Sequence, residues 1–373
     1  MNHKTIFVGL SGGVDSAVSA ALLKKQGYSV VGVFIKTWHP DFLQCNEEEE
    51  RRDAMRVAAH LDIPFLTFDL EDVYKKEVAD YMIREYKAGR TPNPDVMCNR
   101  EVKFGAFLKK ALSMGADYVA TGHYAQVEPV KENFDRVGAR LRVKRRNFAL
   151  PVKLLFKGVD FSKDQSYFLW TLRQEQLSKI IFPVGNLKKT EVRKLALKFN
   201  LPVAEKRDSQ GICFLGPVDL KVFLKHYIKP KRGKVINVKG EAIGHHSGVV
   251  FHTLGERHGF TITRKGTNDG RYYVVGKDVK KNILFVSQSR NVSHSKAEAD
   301  YRIKNTNWIA KIPEVNKNYT AQIRYHGEFL PCRIKITGKT KAEVLFQKPV
   351  LVASGQSCVI YDKDVCLGGG VVV

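Results

Sequence analysis

A short apolar run, a glycine-rich turn and an amphipathic segment open the chain, and this arrangement constrains the fold more than any other feature. Residues 5–10 (TIFVGL) predict a buried strand, and residues 11–16 (SGGVDS) predict a turn. Apolar residues then recur at helical spacing up to Gly27, which predicts a helix. A glycine turn between a strand and a helix directs backbone N–H groups and the helix N-terminus toward an anion such as a phosphate.

Alternating strand and helix patterns continue through residues 1–225. Further strands are predicted at 29–36, 64–70 and 117–123, and helices at about 47–61, 72–88, 100–114 and 164–180. Such alternation predicts an α/β fold, a parallel sheet with helices on both faces, in which ligands bind beyond the carboxyl ends of the strands. Short strand-like runs between glycine turns then predict a small central β-rich domain over 226–290 and a C-terminal β-barrel over 291–373.

The charge balance favours a polyanionic partner. The 62 Lys and Arg residues exceed the 38 Asp and Glu residues by 24. Proteins this basic often neutralise phosphates, although a generally basic surface would give the same count. Part of the excess lies in a basic insertion at about 128–160, which contains the run RVKRRN at 142–147. This insertion is either an additional arm that binds the polyanionic partner or a solvated loop.

The hydrophobic content of 43% is sufficient for a real core and excludes a mainly disordered chain. No run of 18 consecutive apolar residues occurs, and the first residues lack the apolar stretch of a signal peptide. The sequence therefore predicts a cytoplasmic protein that does not contact a membrane.

Two of the six cysteines stand in polar, turn-rich motifs. Cys98 follows Asp95 by three residues, and we expect a helix to begin near Asn99. A cysteine just before a helix N-terminus gains thiolate character, and a nearby carboxylate can transfer protons. Cys213 follows a glycine turn in RDSQGICFLG at 207–216. Two such cysteines predict a persulfide relay, in which one carries the sulfur and the other resolves it.

The other cysteines and histidines do not predict a metal site. There is no CxxC pair, and the histidines at 245, 246 and 252 have no further ligand at zinc spacing. No three cysteines are closely spaced, so neither zinc nor an iron–sulfur cluster is expected. We expect the remaining cysteines to be structural: Cys45, Cys332, Cys358 and Cys366.

The motifs SGGVDS, GRTPNPDVMCNREVKF (89–104) and RDSQGICFLG, in this order, resemble those of the tRNA-specific 2-thiouridylase family within the N-type ATP pyrophosphatases. The resemblance continues through TGHYA (121–125), KDQSYFLW (163–170), HTLGERHG (252–259), IRYHG (323–327) and SGQ (354–356). It implies ATP-dependent 2-thiolation of the wobble uridine, position 34 of tRNA. O2 of the uridine would be adenylated, and sulfur from a cysteine persulfide would replace it, giving 2-thiouridine, AMP and pyrophosphate.

The resemblance also implies residue roles. The residues that would hold ATP, with Mg²⁺, are Gly9, Leu10, Ser11, Gly12, Gly13, Val14, Asp15, Ser16, Ile35 and Gly122. Those that would touch tRNA are Asn93, Pro94, Asp95, His123, Lys163, Asp164, Gln165, Arg324, Tyr325 and Gln356. Cys213 would carry the persulfide after loading by a sulfur carrier or a cysteine desulfurase. Cys98 would attack it to release sulfide or resolve it as a disulfide, and Asp95 completes the catalytic set.

Three features depart from the family pattern: Ile35 stands where Met is frequent, Glu256 stands where Gln is usual, and the connection at 126–160 is long and basic. Three alternatives stay open. Another adenylating synthetase or amidotransferase of the same fold would need neither Cys98 nor Cys213. A non-enzymatic tRNA-binding protein would keep an inactive nucleotide loop, and a related thiolase would carry an iron–sulfur cluster. We expect a monomer.

Overall fold

A computed structural model describes residues 4–43, 46–130, 152–208, 220–264, 270–289 and 300–373. Cys45, Cys213 and the basic run at 142–147 lie outside the described residues, so what is expected of them stays a prediction.

A five-stranded parallel sheet forms the N-terminal part of the protein. The first seven strands are β1 (Thr5–Gly9), β2 (Ser29–Lys36), β3 (Phe65–Asp69), β4 (Tyr118–Ala120), β5 (Ala125–Pro129), β6 (Lys153–Lys157) and β7 (Ile180–Ile181). The order in this sheet is β3–β2–β1–β4–β7, and each pair is parallel. The chain builds outward from β1 on one side and then returns to the other side at β4. Ligands bind at such a reversal, beyond the carboxyl ends of β1 and β4.

Helices cover both faces of this sheet, as the sequence predicts. They are α1 (Val14–Lys25), α2 (Glu47–His60), α3 (Glu71–Tyr74), α4 (Asp80–Lys87), α5 (Pro94–Met97), α6 (Leu108–Ser113), α7 (Gln174–Leu177), α8 (Lys189–Lys198) and α9 (Leu220–Tyr227). Wider π-type turns link α3 to α4 over Lys75–Ala79, and α5 to α6 over Cys98–Phe107. Within the described ranges, no helix has both the length and the apolar character that crossing a membrane requires.

The helix that carries Cys98 begins at Pro94, so the start predicted near Asn99 is wrong. The side chain of Asn93 caps this helix by accepting a hydrogen bond from the Val96 N–H at 3.2 Å. Proline is tolerated at the first helical position because its missing N–H would have no partner there. Cys98 therefore lies inside the helix, and thiolate character from a position just before the N-terminus is not expected.

The prediction of a helix over 164–180 is also wrong. Only a 3₁₀ turn at Ser166–Leu169 and the short α7 are helical in this region. Tyr167 donates its hydroxyl to the Ser357 carbonyl at 3.0 Å, and the Trp170 indole N–H donates to the Ser357 hydroxyl at 3.1 Å. Because these buried contacts with a distant strand decide the local backbone, they override the helical pattern of the sequence.

The C-terminal part is a closed six-stranded β-barrel. Its strands are β13 (Asp300–Trp308), β14 (Tyr319–Gln322), β15 (Leu330–Gly338), β16 (Lys341–Phe346), β17 (Ser357–Asp362) and β18 (Val365–Val372). They follow the order β13–β16–β15–β14–β17–β18, and β13 also pairs with β18. The β5–β6 hairpin, which flanks residues 131–151, extends this sheet by pairing β6 with β18. The N-terminal part therefore contributes two strands to the sheet of the barrel.

Between these parts lies a smaller β domain. Its strands are β8 (Gly233–Asn237), β9 (Ala242–His246), β10 (Phe260–Ile262), β11 (Tyr273–Asp278) and β12 (Ile283–Ser287). They form one sheet in the order β10–β9–β8–β12–β11. Val235, Leu284 and Val286 are fully buried and form its core. The α/β sheet, the central β domain and the terminal barrel confirm the predicted fold class.

Candidate active site

The glycine-rich loop of residues 10–13 leads directly from β1 into α1. It is named the phosphate loop here after the anion that the sequence predicts at this position. Gly13 stands in extended conformation before the helix, and no side chain caps the N-terminus. Ser16 donates its hydroxyl to the Gly13 carbonyl at 3.0 Å, and it accepts the Ser11 N–H at 3.2 Å. The two serines thus fix the shape of the loop, while the first turn of α1 is suited to an anion because uncapped N–H groups carry partial positive charge.

Two glycines allow close packing around this loop. Gly12 has a φ of +71°, a conformation that favours glycine, and a Cβ there would collide with the Glu50 carbonyl. A Cβ on Gly122 would lie 2.7 Å from the Ser16 nitrogen. The loop after β4 therefore packs directly against the start of α1. Ile35 is half-buried near the carboxyl end of β2.

Asp15 is the carboxylate of this loop, and two groups from other elements bind it. The Tyr124 hydroxyl donates to Asp15 Oδ1 at 2.7 Å. The Lys189 Nζ, at the start of α8, lies 2.7 and 2.9 Å from the two carboxylate oxygens. Burial and the charge of Asp15 raise the pKa of Tyr124, so this phenol stays protonated. The beginning of α1 thus faces a lysine with a nearby tyrosine.

Lys189 also joins a second acidic group. Its Nζ lies 2.9 Å from Asp208 Oδ1, and Lys163 and Arg193 bind the same carboxylate at 2.8 and 2.6 Å. Burial alone would raise the pKa of Asp208, but hydrogen bonds from Lys163 and Lys189 hold it well below its usual value. This network connects the phosphate loop with the point where the described chain stops before Cys213.

Sequence reasoning missed Lys189, Tyr124 and Asp208. Tyr124 and Asp208 lie inside motifs that it singled out, TGHYA and RDSQGICFLG. The signal for Lys189 was a lysine at a helix start after the strand β7 of the same sheet. A helix that follows such a strand begins at the sheet edge where ligands bind.

The KDQS residues are largely engaged within the protein. The side chain of Gln165 accepts the Tyr124 N–H at 3.0 Å. Asp164 is buried and accepts the N–H groups of Gly158 and Ser166 at 2.9 and 3.1 Å. Lys163 remains partly exposed beside Asp208. Gln165 and Asp164 therefore hold the backbone next to the phosphate loop, Lys163 pairs with Asp208, and the contact of all three with tRNA stays a prediction.

Asp95 lies in the first turn of α5, and Cys98 is the first residue of the π-type segment that continues this helix. Cys98 is 3% exposed. Burial raises the pKa of Asp95, and the charge of Lys103 opposes this shift. Asn93, the cap of the helix, is hydrogen-bonded to the Tyr167 side chain. The beginning of this helix is therefore held by its own cap and by the KDQSYFLW segment.

His123 is buried rather than on the surface. Its Nδ1 lies 2.7 Å from the Thr121 hydroxyl, and its ring centroid lies 5.7 Å from that of Phe104, a residue of the Cys98 helix. Burial, assisted by the charge of Lys103, lowers the pKa of His123 well below its usual value. His123 is therefore neutral at pH 7, and it connects the loop after β4 with the Cys98 helix.

The barrel reaches the same region through Tyr325. Its ring lies 4.4 Å from Phe168, and burial together with the charges of Asp164 and Asp95 raises its pKa to about 12. Arg324 is exposed beside it. Gln356, also predicted to touch tRNA, donates its amide to the Thr91 carbonyl at 3.2 Å.

The structure thus brings the phosphate loop, the TGHYA and KDQS segments, the Asp95–Cys98 turn and Tyr325 into one connected region. Because Cys213 is outside the described residues, the proximity of Cys98 and Cys213 stays a prediction. In the described ranges, no three His, Cys, Asp or Glu side chains cluster as metal ligands. No disulfide joins two cysteines in those same ranges.

Comparison with known proteins covers nearly the whole chain. Family models described as tRNA methyl transferase HUP domain, tRNA methyl transferase PRC-barrel domain and Aminomethyltransferase beta-barrel domain match residues 4–217, 221–288 and 299–372. The tRNA-specific 2-thiouridylase MnmA of Listeria welshimeri is 42% identical over 98% of this chain and 94% of that protein. The chain belongs to the tRNA-specific 2-thiouridylase family.

The enzyme of the same name from Geobacillus thermodenitrificans is 42% identical over 99% of this chain and 95% of its own length. The one from Streptococcus thermophilus is 42% identical over 100% and 96%. These 2-thiouridylases confirm the family resemblance that the sequence motifs indicate. Because each alignment includes both β domains, the membership extends beyond the ATP-pyrophosphatase-like sheet.

Proposed function

We propose that this member of the 2-thiouridylase family is the enzyme that converts the wobble uridine, position 34 of tRNA, to 2-thiouridine with ATP. The supporting observation is that the loop after β4 contacts both the phosphate loop, through Gly122 and Tyr124, and the helix that carries Cys98, through His123. The chain is also 42% identical to 2-thiouridylases over almost its full length. The net charge of +24 suits a tRNA substrate.

The first step is adenylation. O2 of the uridine attacks the α-phosphorus of ATP, a new O–P bond forms, and the bond to pyrophosphate breaks. The uncapped start of α1 stabilises the negative charge of the phosphates, and Lys189 adds a cation. Asp15 would hold the Mg²⁺ that accompanies ATP once Lys189 moves from its carboxylate to the phosphates, because Mg²⁺ takes one or two carboxylates together with substrate phosphates. The Asp95 carboxylate accepts the proton that leaves N3 of the uridine.

The second step is sulfur transfer, and two routes balance. In one, the Cys98 thiolate attacks the Cys213 sulfur of the persulfide, so that a disulfide forms and hydrosulfide leaves. Hydrosulfide then attacks C2, and AMP departs with the original oxygen. In the other, the terminal persulfide sulfur attacks C2 directly and displaces AMP, and Cys98 then attacks Cys213 to free the thiouridine. Both routes end in a Cys98–Cys213 disulfide, which a thiol must reduce.

The proposal extends to the partners and the location. A sulfur carrier protein or a cysteine desulfurase would load Cys213. We propose a monomer that works in the cytoplasm, where its tRNA substrate and reducing thiols occur.

The test is mass spectrometry of nucleosides from unmodified tRNA incubated with the protein, ATP and sulfide. We expect 2-thiouridine at position 34 only when ATP is present. Pyrophosphate released with tRNA but without 2-thiouridine would favour another adenylating enzyme of this fold. Binding of tRNA without pyrophosphate release would favour a non-enzymatic tRNA-binding protein. An absorption spectrum of anaerobically purified protein tests separately for an iron–sulfur cluster.

Asp95 makes a pH-dependent contribution to turnover. Burial raises its pKa, so the carboxylate takes up a proton at a higher pH than an ordinary aspartate, whose value is about 3.9. A base must be ionised to work, and the rate of thiolation should therefore fall on acidification through this raised pKa. We expect Asp95→Asn to lose roughly 10²- to 10⁴-fold in kcat, the usual contribution of a general base.

The measurement is kcat for thiolation against pH, with Asp95→Glu as the conservative variant. Asp95→Glu should keep an acidic limb at a shifted position, whereas Asp95→Asn should show none in its residual activity. A residual activity of Asp95→Asn with the same acidic limb as the parent would assign this limb to another group.

A further inference from the structure

Thr91 lies where the N-terminal part, the central β domain and the barrel meet. It is 5% exposed, and all three of its polar groups are engaged by the other two domains. Its N–H donates to the Ser354 carbonyl at 2.8 Å, and its carbonyl accepts the Gln356 amide at 3.2 Å. Its hydroxyl lies 3.1 Å from the hydroxyl of Thr253 in the central domain. We name these four residues the Thr91 junction.

The barrel fits closely against the backbone at this junction. Gly355 has a φ of +93°, and a Cβ there would lie 2.9 Å from the Thr91 carbonyl oxygen. The preceding residue, Arg90, is held by Glu85 in a bidentate ion pair at 2.5 and 2.7 Å. The backbone of Thr91 is thus held from its own domain and from the barrel.

Thr91 directly precedes, in the sequence, the helix that carries Asp95 and Cys98. Two residues after Thr91, Asn93 caps the helix that presents Asp95 and Cys98. Displacement of Thr91 would therefore move the start of this helix relative to the phosphate loop. A shift of about 1 Å in the position of a reacting group is enough to lower a rate severely.

We propose that Thr91, Thr253 and Gln356 are positioning residues for sulfur transfer. Through them, the two β domains hold the start of the helix at 93–98 in the geometry that the reaction needs. The inference rests on the proposed thiolation and deepens it. It gives the β domains a role in turnover besides any contact with tRNA. It also gives Gln356 a second role beside its predicted tRNA contact, because its amide binds the Thr91 carbonyl just before residues 93–98.

The test compares Thr253→Val, which removes the hydroxyl without a change in size, with Thr253→Ser, which keeps the hydroxyl. We expect Thr253→Val to lower kcat for 2-thiouridine formation by roughly five- to tenfold, the effect of one lost hydrogen bond. KM for ATP and for tRNA should stay within about twofold of the parent, since the Thr253 hydroxyl contacts Thr91 and neither the phosphate loop nor a residue predicted to bind tRNA. Thr253→Ser should restore kcat.

Two further variants separate positioning from folding. Thr263→Val is the matched control, because Thr263 lies in the same domain and its hydroxyl binds the Ile243 carbonyl instead. It should leave kcat unchanged. Thr91→Val removes the other half of the hydroxyl pair, so the double variant with Thr253→Val should be no slower than the slower single variant. Thermal melting of each variant confirms that the protein is folded.

The inference is overturned if Thr253→Val turns over within twofold of the parent, or if Thr253→Ser is as slow as Thr253→Val. It is also overturned if the effects of Thr91→Val and Thr253→Val multiply, since the two changes would then act independently. A parent protein that forms no 2-thiouridine would refute the proposed function itself, and this result is known before any variant is compared.

Discussion

Cys98→Ser and Cys213→Ser should each abolish 2-thiouridine formation, with a loss of about a thousandfold or more, while tRNA-dependent pyrophosphate release continues. A serine hydroxyl cannot carry a persulfide, and it is a far weaker nucleophile toward sulfur than a thiolate. Adenylation needs neither sulfur atom, so the reaction should stop at the adenylated uridine. The measurement is nucleoside mass spectrometry run beside a pyrophosphate assay on the same samples, with a cysteine desulfurase and cysteine as the sulfur source, because free sulfide attacks the adenylated C2 without either thiol.

Cys366→Ala is the matched control for these variants. Cys366 is buried in the barrel strand β18, and burial raises its pKa to about 12, so its thiol is not ionised at neutral pH. It should retain thiolation. Full thiolation by both serine variants would refute the relay, and a parallel loss of pyrophosphate release would place the cysteines in the first step.

Lys189→Ala should strongly slow adenylation, the first step of the reaction. Lys189 binds Asp15 and Asp208 with one ammonium group, so its loss leaves two carboxylates beside the phosphate loop without their shared cation. Asp15 would then repel the phosphates of ATP, whereas Asp208 keeps its ion pairs with Lys163 and Arg193. We expect tRNA-dependent pyrophosphate release to fall by roughly 10²- to 10³-fold, the usual effect of losing one preorganised electrostatic contact. Binding of tRNA, measured by filter retention, should not change.

The neighbouring Lys188→Ala makes the same change in charge at the same helix end, but Lys188 is exposed. It should retain pyrophosphate release. Equal losses in the two variants would mean that only the overall positive charge of this helix end matters. A Lys189→Ala protein that adenylates normally would remove Lys189 from the phosphate site.

The strands and the phosphate loop could be predicted from the sequence because their signals are local. The run at 29–36 coincides with the observed β2, and the apolar run at 5–10 contains β1. Burial on both faces of a parallel sheet requires continuous apolar runs, and such runs are visible without knowledge of the partners. The turn at 11–16 was equally clear, since glycines between a strand and a helix have few other uses.

The helix boundaries near the site were less predictable. The sequence predicts the start of the Cys98 helix near Asn99, whereas the helix begins at Pro94, because proline is tolerated at the first helical position. The segment after Lys163 has helical spacing, but Tyr167 and Trp170 donate hydrogen bonds to Ser357, almost two hundred residues further along the chain. Local patterns carry no information on such a partner.

The sequence alone determined the alternation of strands and helices from β1 to β4, the glycine-rich turn, the two cysteine motifs and the family, because each is written in neighbouring residues. Only the tertiary structure decided that Lys189 faces Asp15, that the β5–β6 hairpin extends the barrel, and that Thr91 is held by Thr253 and Gln356. These pairs are brought together by long-range packing, and a residue's own neighbours do not specify a contact whose other half lies a hundred or more positions along the chain.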